Sequence, residues 1–183
     1  MSMRFHTQVL LNKILKNKQN QCIFVLFLVM SIILNSLIII VGFLLMEGVA
    51  WFTHKYIMHG FMWSWHKSHH EPRKGKFEKN DLFGIVFAFV SAGLMISGSW
   101  GEIDWKFFLG IGILLYGLAY FLVHDVFVHQ RLPLLKRTNN AYFQAMRFAH
   151  KIHHKVSSKE GAEAFGFLFV SKKYLNKFKH KQK

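Results

Sequence analysis

Apolar and charged residues fall in separate blocks along this chain. Residues 19–46 carry no charge and are mostly Ile, Leu, Val and Phe. Rising about 1.5 Å per residue as a helix, that run exceeds the roughly 30 Å hydrocarbon core of a bilayer. It is too long for the apolar part of a signal peptide, and no small-residue cleavage site follows it, so a membrane helix is predicted. Two more apolar blocks, 82–100 and 107–123, are joined by a link with Glu102, Asp104 and Lys106, edged by Trp100 and Trp105. Tryptophans around a slightly acidic turn predict a helical hairpin whose turn is non-cytoplasmic. Basic residues flank the other end: Lys67, Arg73, Lys74, Lys76 and Lys79 before it, then Arg131, Lys136 and Arg137 after it. The hairpin therefore starts and ends in the cytoplasm.

Arg4, Lys13, Lys16 and Lys18 also favour the cytoplasm, whereas a single crossing by residues 22–46 would put them outside. A fold-back near Asn35 and Ser36, with the second half extended through Trp51 and Phe52, would resolve this with a fourth membrane helix. The expected architecture is an all-α integral membrane protein with three or four transmembrane helices and a cytoplasmic histidine-rich cap. Residues 1–21 read as a basic N-terminal extension, 22–170 as the membrane domain and 171–183 as a basic C-terminal tail. Beyond Arg131 the chain is loop-rich, with Pro133 as a breaker. Residues 142–154 have helical character, and 164–170 are too short to span and are expected to pack against the site.

Apolar residues make up 52% of the chain, with 20 Phe and 5 Trp, which fits lipid surroundings rather than water. The formal charge is +15, and 13 of the 24 Lys and Arg lie after His129, where the only acids are Glu160 and Glu163. No nucleic-acid motif accompanies these charges, so they read as the positive-inside signature and an attraction to anionic membrane lipids. Cys22 is the only cysteine, which excludes an internal disulfide and a cysteine-based metal site. Any metal must be held by nitrogen and oxygen.

Twelve histidines are present, and ten form a pattern. His54 and His59 are spaced H-x4-H, followed by His66, His69 and His70 as H-x2-H-H; the same spacings return in His124 and His129, then His150, His153 and His154. This is a loose internal repeat of apolar helix, H-x4-H and H-x2-H-H. Helix positions i, i+3 and i+4 share a face, so each H-x2-H-H can point one way. H-x4-H spans about 140° on an ideal α-helix, so both rings meet one cavity only if they flank it or the helix is bulged or ending. His6 and His180 fit ordinary surface histidines. The recurring ten point to metal binding, and imidazole suits Fe, Zn, Cu or Ni. Ten exceed the needs of one ion, whereas two ions with four or five each absorb them. Asp125, Glu71 and Asp81 are the candidate acceptors for imidazole N–H groups, a role that fixes ring orientation; Asp125 is the first choice.

The segments HKYIMHG (54–60), WSWHKSHHEPRKGKFEKNDL (63–82), FLVHDVFVHQR (121–131), AHKIHH (149–154), EG (160–161) and FGFL (165–168) resemble the bacterial β-carotene 3-hydroxylases. These belong to the fatty-acid hydroxylase superfamily of membrane histidine-box enzymes, and the similarity covers about residues 36–170. The resemblance implies a non-haem di-iron mono-oxygenase of the bacterial cytoplasmic membrane. With O2 and electrons from a ferredoxin-type donor, it would hydroxylate carbon 3 of the β-ionone rings, taking β-carotene through β-cryptoxanthin to zeaxanthin. His54, His59, His66, His69, His70, His124, His129, His150, His153 and His154 would carry over as iron ligands or close supports. Residues 1–35 look like an extension beyond short bacterial members, and Ala162-Glu163-Ala164 stands where less charged residues are usual.

The chemistry agrees with this reading. Side-chain acids and bases cannot attack an unactivated ring C–H, so a redox metal and oxygen are required. A site at the helix ends would take one ring from the bilayer and electrons from the water side. Fatty-acid or sterol hydroxylases, desaturases and a ring ketolase are the enzymatic alternatives. A transition-metal transporter is the non-enzymatic one, although transporters place their ligands near the bilayer midplane.

Overall fold

The computed structural model describes residues 2–73, 75 and 77–179, with side chains from residue 16 onward. Lys74, Lys76 and His180, and the side chains of Arg4, His6 and Lys13, lie outside the described residues. Among the described residues every regular element is helical. Helix α1 (Ser2–Phe52) runs directly into a π-helical segment, Thr53–Phe61, and then α2 (Trp63–His70). Helices α3 (Asp81–Gly98) and α4 (Trp105–Tyr120) follow, and α4 continues as a second π-helical segment, Phe121–Val128. Helices α5 (Ala141–His153) and α6 (Lys172–Lys179) complete the chain.

Three described helical stretches are long and apolar enough to cross a membrane: Lys16–Phe61, Asp81–Gly98 and Trp105–Val128. Helix α1 continues through Asn35 and Ser36, so the count is three and the fold-back is absent. A reversal there would strand backbone N–H and C=O groups in hydrocarbon. Asn35 instead turns its amide one helical turn back to Ser31 Oγ, 3.4 Å away.

The chain forms two compact units, Met1–Ile38 and Ile39–Lys183. In the first, large apolar side chains such as Phe24 and Phe27 point outward, 69% and 73% exposed, as lipid-facing residues do. The second holds the hairpin and all ten patterned histidines. Asp104 caps α4 by accepting from the Lys106 N–H, and the Asp104 N–H donates to Gly98 O at 2.9 Å, closing the turn. Helices α3 and α4 approach closely where Ser91 Oγ donates to Gly110 O at 2.8 Å. A Cβ on Gly110 would stand 2.8 Å from Ser91 O and 2.6 Å from Met95 Cγ. Gly110→Val is therefore expected to cost about 1–3 kcal/mol by overpacking, read as a lowered melting midpoint in detergent; an unchanged midpoint would show that the helices are not in this contact.

Beside the hairpin, Met46, Ala50, Tyr116 and Phe167 form a buried apolar cluster. Helix α6 packs Tyr174 against Ala145 and Ala149 of α5. The outcome is a bundle whose α1 and α4 both end in π-helical segments, at the end where α3 begins. All ten histidines of the pattern gather there.

Candidate metal centre

The π-helical segments explain the H-x4-H spacing. An i→i+5 hydrogen bond makes residues five apart successive on one side, where an α-helix would turn them well away from each other. In the second segment the His129 N–H donates to His124 O at 2.9 Å, so the two H-x4-H histidines are themselves the bonded pair. His66, His69 and His70 on α2, and His150 and His153 on α5 with His154 as its C-cap, use the i, i+3, i+4 face.

Ligand atoms of His54, His59, His66 and His153 all lie within 4.8 Å of one another, and so do those of His69, His129, His150 and His154. His70 joins the first set through His66, Nε2 to Nε2 at 3.2 Å, and His124 joins the second through His69 at 3.2 Å. The ten histidines singled out by sequence come together as two groups of four with one further imidazole beside each.

The hydrogen bonds fix which nitrogen faces inward. Nδ1–H of His54, His59, His70 and His153 donates to the backbone oxygens of Phe165, Lys159, Val156 and Glu163, at 2.8–3.0 Å. Nδ1–H of His66 donates to Asn80 Oδ1 at 2.7 Å, that of His69 to Glu78 at 3.0 Å and that of His124 to Asp125 at 2.8 Å. A neutral imidazole has one N–H, so each of these seven presents a bare Nε2 lone pair. Those lone pairs face each other: His54 and His66 at 3.1 Å, His59 and His153 at 3.2 Å. No proton lies between them, and such an arrangement is repulsive until a cation takes both. Two nitrogens bound about 2.1 Å from one ion and at right angles to each other stand about 3 Å apart. The donor set therefore fits a metal centre.

Burial keeps the imidazoles neutral and ready to ligate. It takes His66, His153 and His154 down to about 3 and His70 and His129 down to about 4, while His69 and His150 fall well below the ordinary value near 6.5. Neighbouring imidazoles reinforce the shift at most of them; at His129 the Arg131 and Arg73 cations follow burial.

Of the three carboxylates expected to orient imidazoles, Asp125 alone touches one. Glu71 lies just beyond α2 on an exposed face and pairs with Lys67 at 3.4 Å, its i−4 neighbour. Asp81 accepts instead from Arg131 at 2.8 Å and from the Glu78 N–H at 2.9 Å, because it opens α3 facing the arginine. Glu78 and Asn80 take the imidazole N–H groups. Both lie in the segment that carries the resemblance, but nothing in their spacing marks them. Glu47 was also missed. It is buried, accepts from Tyr116 OH at 2.8 Å, and accepts from the N–H groups of Phe167, Leu168 and Phe169 at 3.0–3.1 Å. It anchors the 165–169 segment whose Phe165 carbonyl orients His54 and whose Phe167 ring stacks on it, centroids 5.0 Å apart. A carboxylate at the edge of a membrane span is itself a signal of function, and that signal was available.

An apolar cavity of about 430 Å³ opens beside the histidines between α3 and α4. Phe83, Phe87, Ala88, Ile113 and Gly117 line it, and Asp81, Asp125 and Arg131 form its polar part. Its walls include Tyr120, which stacks on His124 at 4.6 Å, and Phe167.

Three helices long and apolar enough to cross a membrane, with a buried histidine cluster at one end that is compatible with a metal centre, define a membrane protein. The Fatty acid hydroxylase family profile matches residues 39–174, and the chain belongs to that family; it is a membrane hydroxylase. Among curated proteins it is similar to the beta-carotene hydroxylase of Pseudescherichia vulneris, 49% identical over 142 residues, 76% of this chain and 79% of that protein. The beta-carotene hydroxylase of Pantoea ananas is 49% identical over 138 residues, 74% of this chain and 77% of its own. That of Paracoccus sp. (strain PC1) is 41% identical over 136 residues, 73% and 83%. No solved structure matches.

Proposed function

We propose that this protein hydroxylates the β-ionone rings of β-carotene at carbon 3, giving β-cryptoxanthin and then zeaxanthin. The relatives named above support the substrate. The observation that carries the reading is the convergence of bare imidazole nitrogens beside an apolar cavity that begins within the membrane helices. The ten histidines hold two iron ions, five each. Ligand type does not select iron over other imidazole-binding metals, but the reaction requires a redox metal, which excludes zinc. Two ions held by these histidines would supply reductive cleavage of O2, one oxygen atom entering the C–H bond and the other leaving as water, with two electrons from a ferredoxin-type donor and two protons from solvent. The basic flanks support a cytoplasmic side for this end of the bundle, in a bacterial inner membrane.

The chain's own residues bind, orient and exclude water. Phe83, Phe87, Ile113 and Phe167 take the ring out of lipid, at a cavity volume within the usual range of about 300–1,000 Å³ for ligand pockets. Tyr120 and Phe167, which wall the cavity and stack on His124 and His54, hold the ring next to the ligand set and keep water off it.

Expression in a β-carotene-accumulating bacterium followed by pigment chromatography tests the reading: hydroxylated pigments are expected, and unchanged β-carotene in cells holding the iron-loaded protein would defeat it. Keto products would redirect it to a ring ketolase. The cavity has its own test. A Cβ on Gly84 or Gly117 meets nothing within 4 Å, and both glycines line the slot. Gly117→Leu is expected to fill it and cut carotenoid turnover about tenfold or more, with metal content kept. Full turnover with the slot filled would place the substrate elsewhere.

A further inference from the structure

The two histidine sets are supported by different chemistry. In the first set, His54, His59, His66, His70 and His153 all donate to neutral oxygens, four of them backbone carbonyls of residues 156–165 and one the Asn80 amide. In the second set, His69 and His124 donate to the carboxylates of Glu78 and Asp125. These acids are held together by Arg131, which reaches Glu78 at 3.4 Å, Asp81 at 2.8 Å and Asp125 at 3.7 Å. The arginine is itself fixed. Its side chain is 13% exposed, its backbone N–H donates to Asp125 O at 2.9 Å, and Gln130 before it adopts a left-handed φ of 53° that turns the chain back over the site.

We propose that the two ion sites are unequal, that the ion on His69, His124, His129, His150 and His154 is the more tightly held, and that Arg131 sets the inequality. This rests on the two-ion reading above. A carboxylate accepting an imidazole N–H makes the opposite nitrogen a stronger donor to metal, and a backbone carbonyl does so less. Three carboxylates crowded together keep that arrangement only with a cation among them. Without the arginine the crowded acids repel and turn away, and His69 and His124 lose the acceptors that aim them. Arg131 is a positioning residue. It acts through Glu78 and Asp125 on one set and leaves the other to the 156–165 carbonyls and Asn80. A planar guanidinium spans the acids with two nitrogens, which the single ammonium of lysine does not reproduce.

The experiment is chelator challenge of the iron-loaded protein in detergent, following release of each ion over time. Wild type is expected to lose its ions in two phases. Arg131→Gln is expected to speed the slow phase about 10–100-fold and leave the fast phase alone, with Arg131→Lys in between. Asn80→Ala, which removes the acceptor of the His66 N–H, is expected to speed the fast phase. Glu78→Gln and Asp125→Asn report on the same slow phase if Arg131→Gln does not accumulate. Release from Arg131→Gln in the wild-type proportions, or equal weakening of both ions, overturns the proposal. Wild type that takes up no stoichiometric iron would overturn the two-ion reading itself, a different result from two ions lost in a single phase, which sinks only the inequality.

Discussion

His66→Ala is expected to abolish detectable hydroxylation and to strip metal from the purified protein. The His66 Nε2 stands 3.1 Å from that of His54 and 3.2 Å from that of His70, so it is shared by more of its set than any peripheral member. Removing a residue that only orients a ligand costs about 10–100-fold in metal affinity or activity, and removing the ligand itself costs more. The side chain is also 2% exposed, so alanine leaves a cavity and deprives Asn80 of its donor. To separate folding from ligation, the variant's membrane insertion and melting should be compared with those of metal-depleted wild type. Two ions retained alongside wild-type turnover would remove His66 from the centre, and the same result at His153 would end the ligand assignment.

Lowering the pH is expected to destabilise the metal-depleted protein steeply. The unfolded chain protonates its histidines near 6.5. The folded chain keeps His70 and His129 neutral down to about 4, and His66, His153 and His154 down to about 3, because they are buried. Between those limits the unfolded state binds more protons, so the free energy of unfolding falls as pH falls. The stability is fully present above about 6.5 and is lost progressively toward 3 to 4. A single histidine moved from 6.5 to about 4, as His129 is, accounts for about 3 kcal/mol of that loss. Bound metal competes with protons for the same lone pairs, so the loaded protein should resist until metal is released. Thermal melts of chelator-treated protein at pH 7.5, 6 and 5 read this directly. A midpoint that stays level across that range would mean the imidazoles are solvated or already charged at neutral pH.

How far the histidines could be read from sequence differs from how they are used. Spacing alone identified all ten and the repeat that orders them. It did not reveal that the H-x2-H-H boxes split. On α2, His66 and His70 serve one set while His69 serves the other; around the end of α5, His150 and His154 serve the second set while His153 returns to the first. Positions i and i+4 lie about 40° apart and i+3 lies about 60° to the other side, so a helix wedged between two cavities offers two ligands to one and one to the other. The repeat halves thus exchange one histidine each, and which cavity lies on which side depends on how the helices dock. The supports were harder still. Four are backbone carbonyls of residues 156–165, which any amino acid provides, so no residue type marks them.

By itself the sequence located the apolar blocks that span, because charge cannot sit cheaply in hydrocarbon, but whether the first block crosses once or folds back was decided by the unbroken α1. It also singled out the imidazoles proposed as donors, because only histidine recurs at helix-compatible spacing. Tertiary structure alone decided the π-helical geometry that brings H-x4-H onto one side, the five-and-five division, the choice of Glu78 and Asn80 over Glu71 and Asp81, and the buried Glu47 anchor. The division and the Glu47 anchor follow from distances between segments far apart in the chain, and which nearby residue meets each imidazole depends on how the helices dock, so local pattern decides neither.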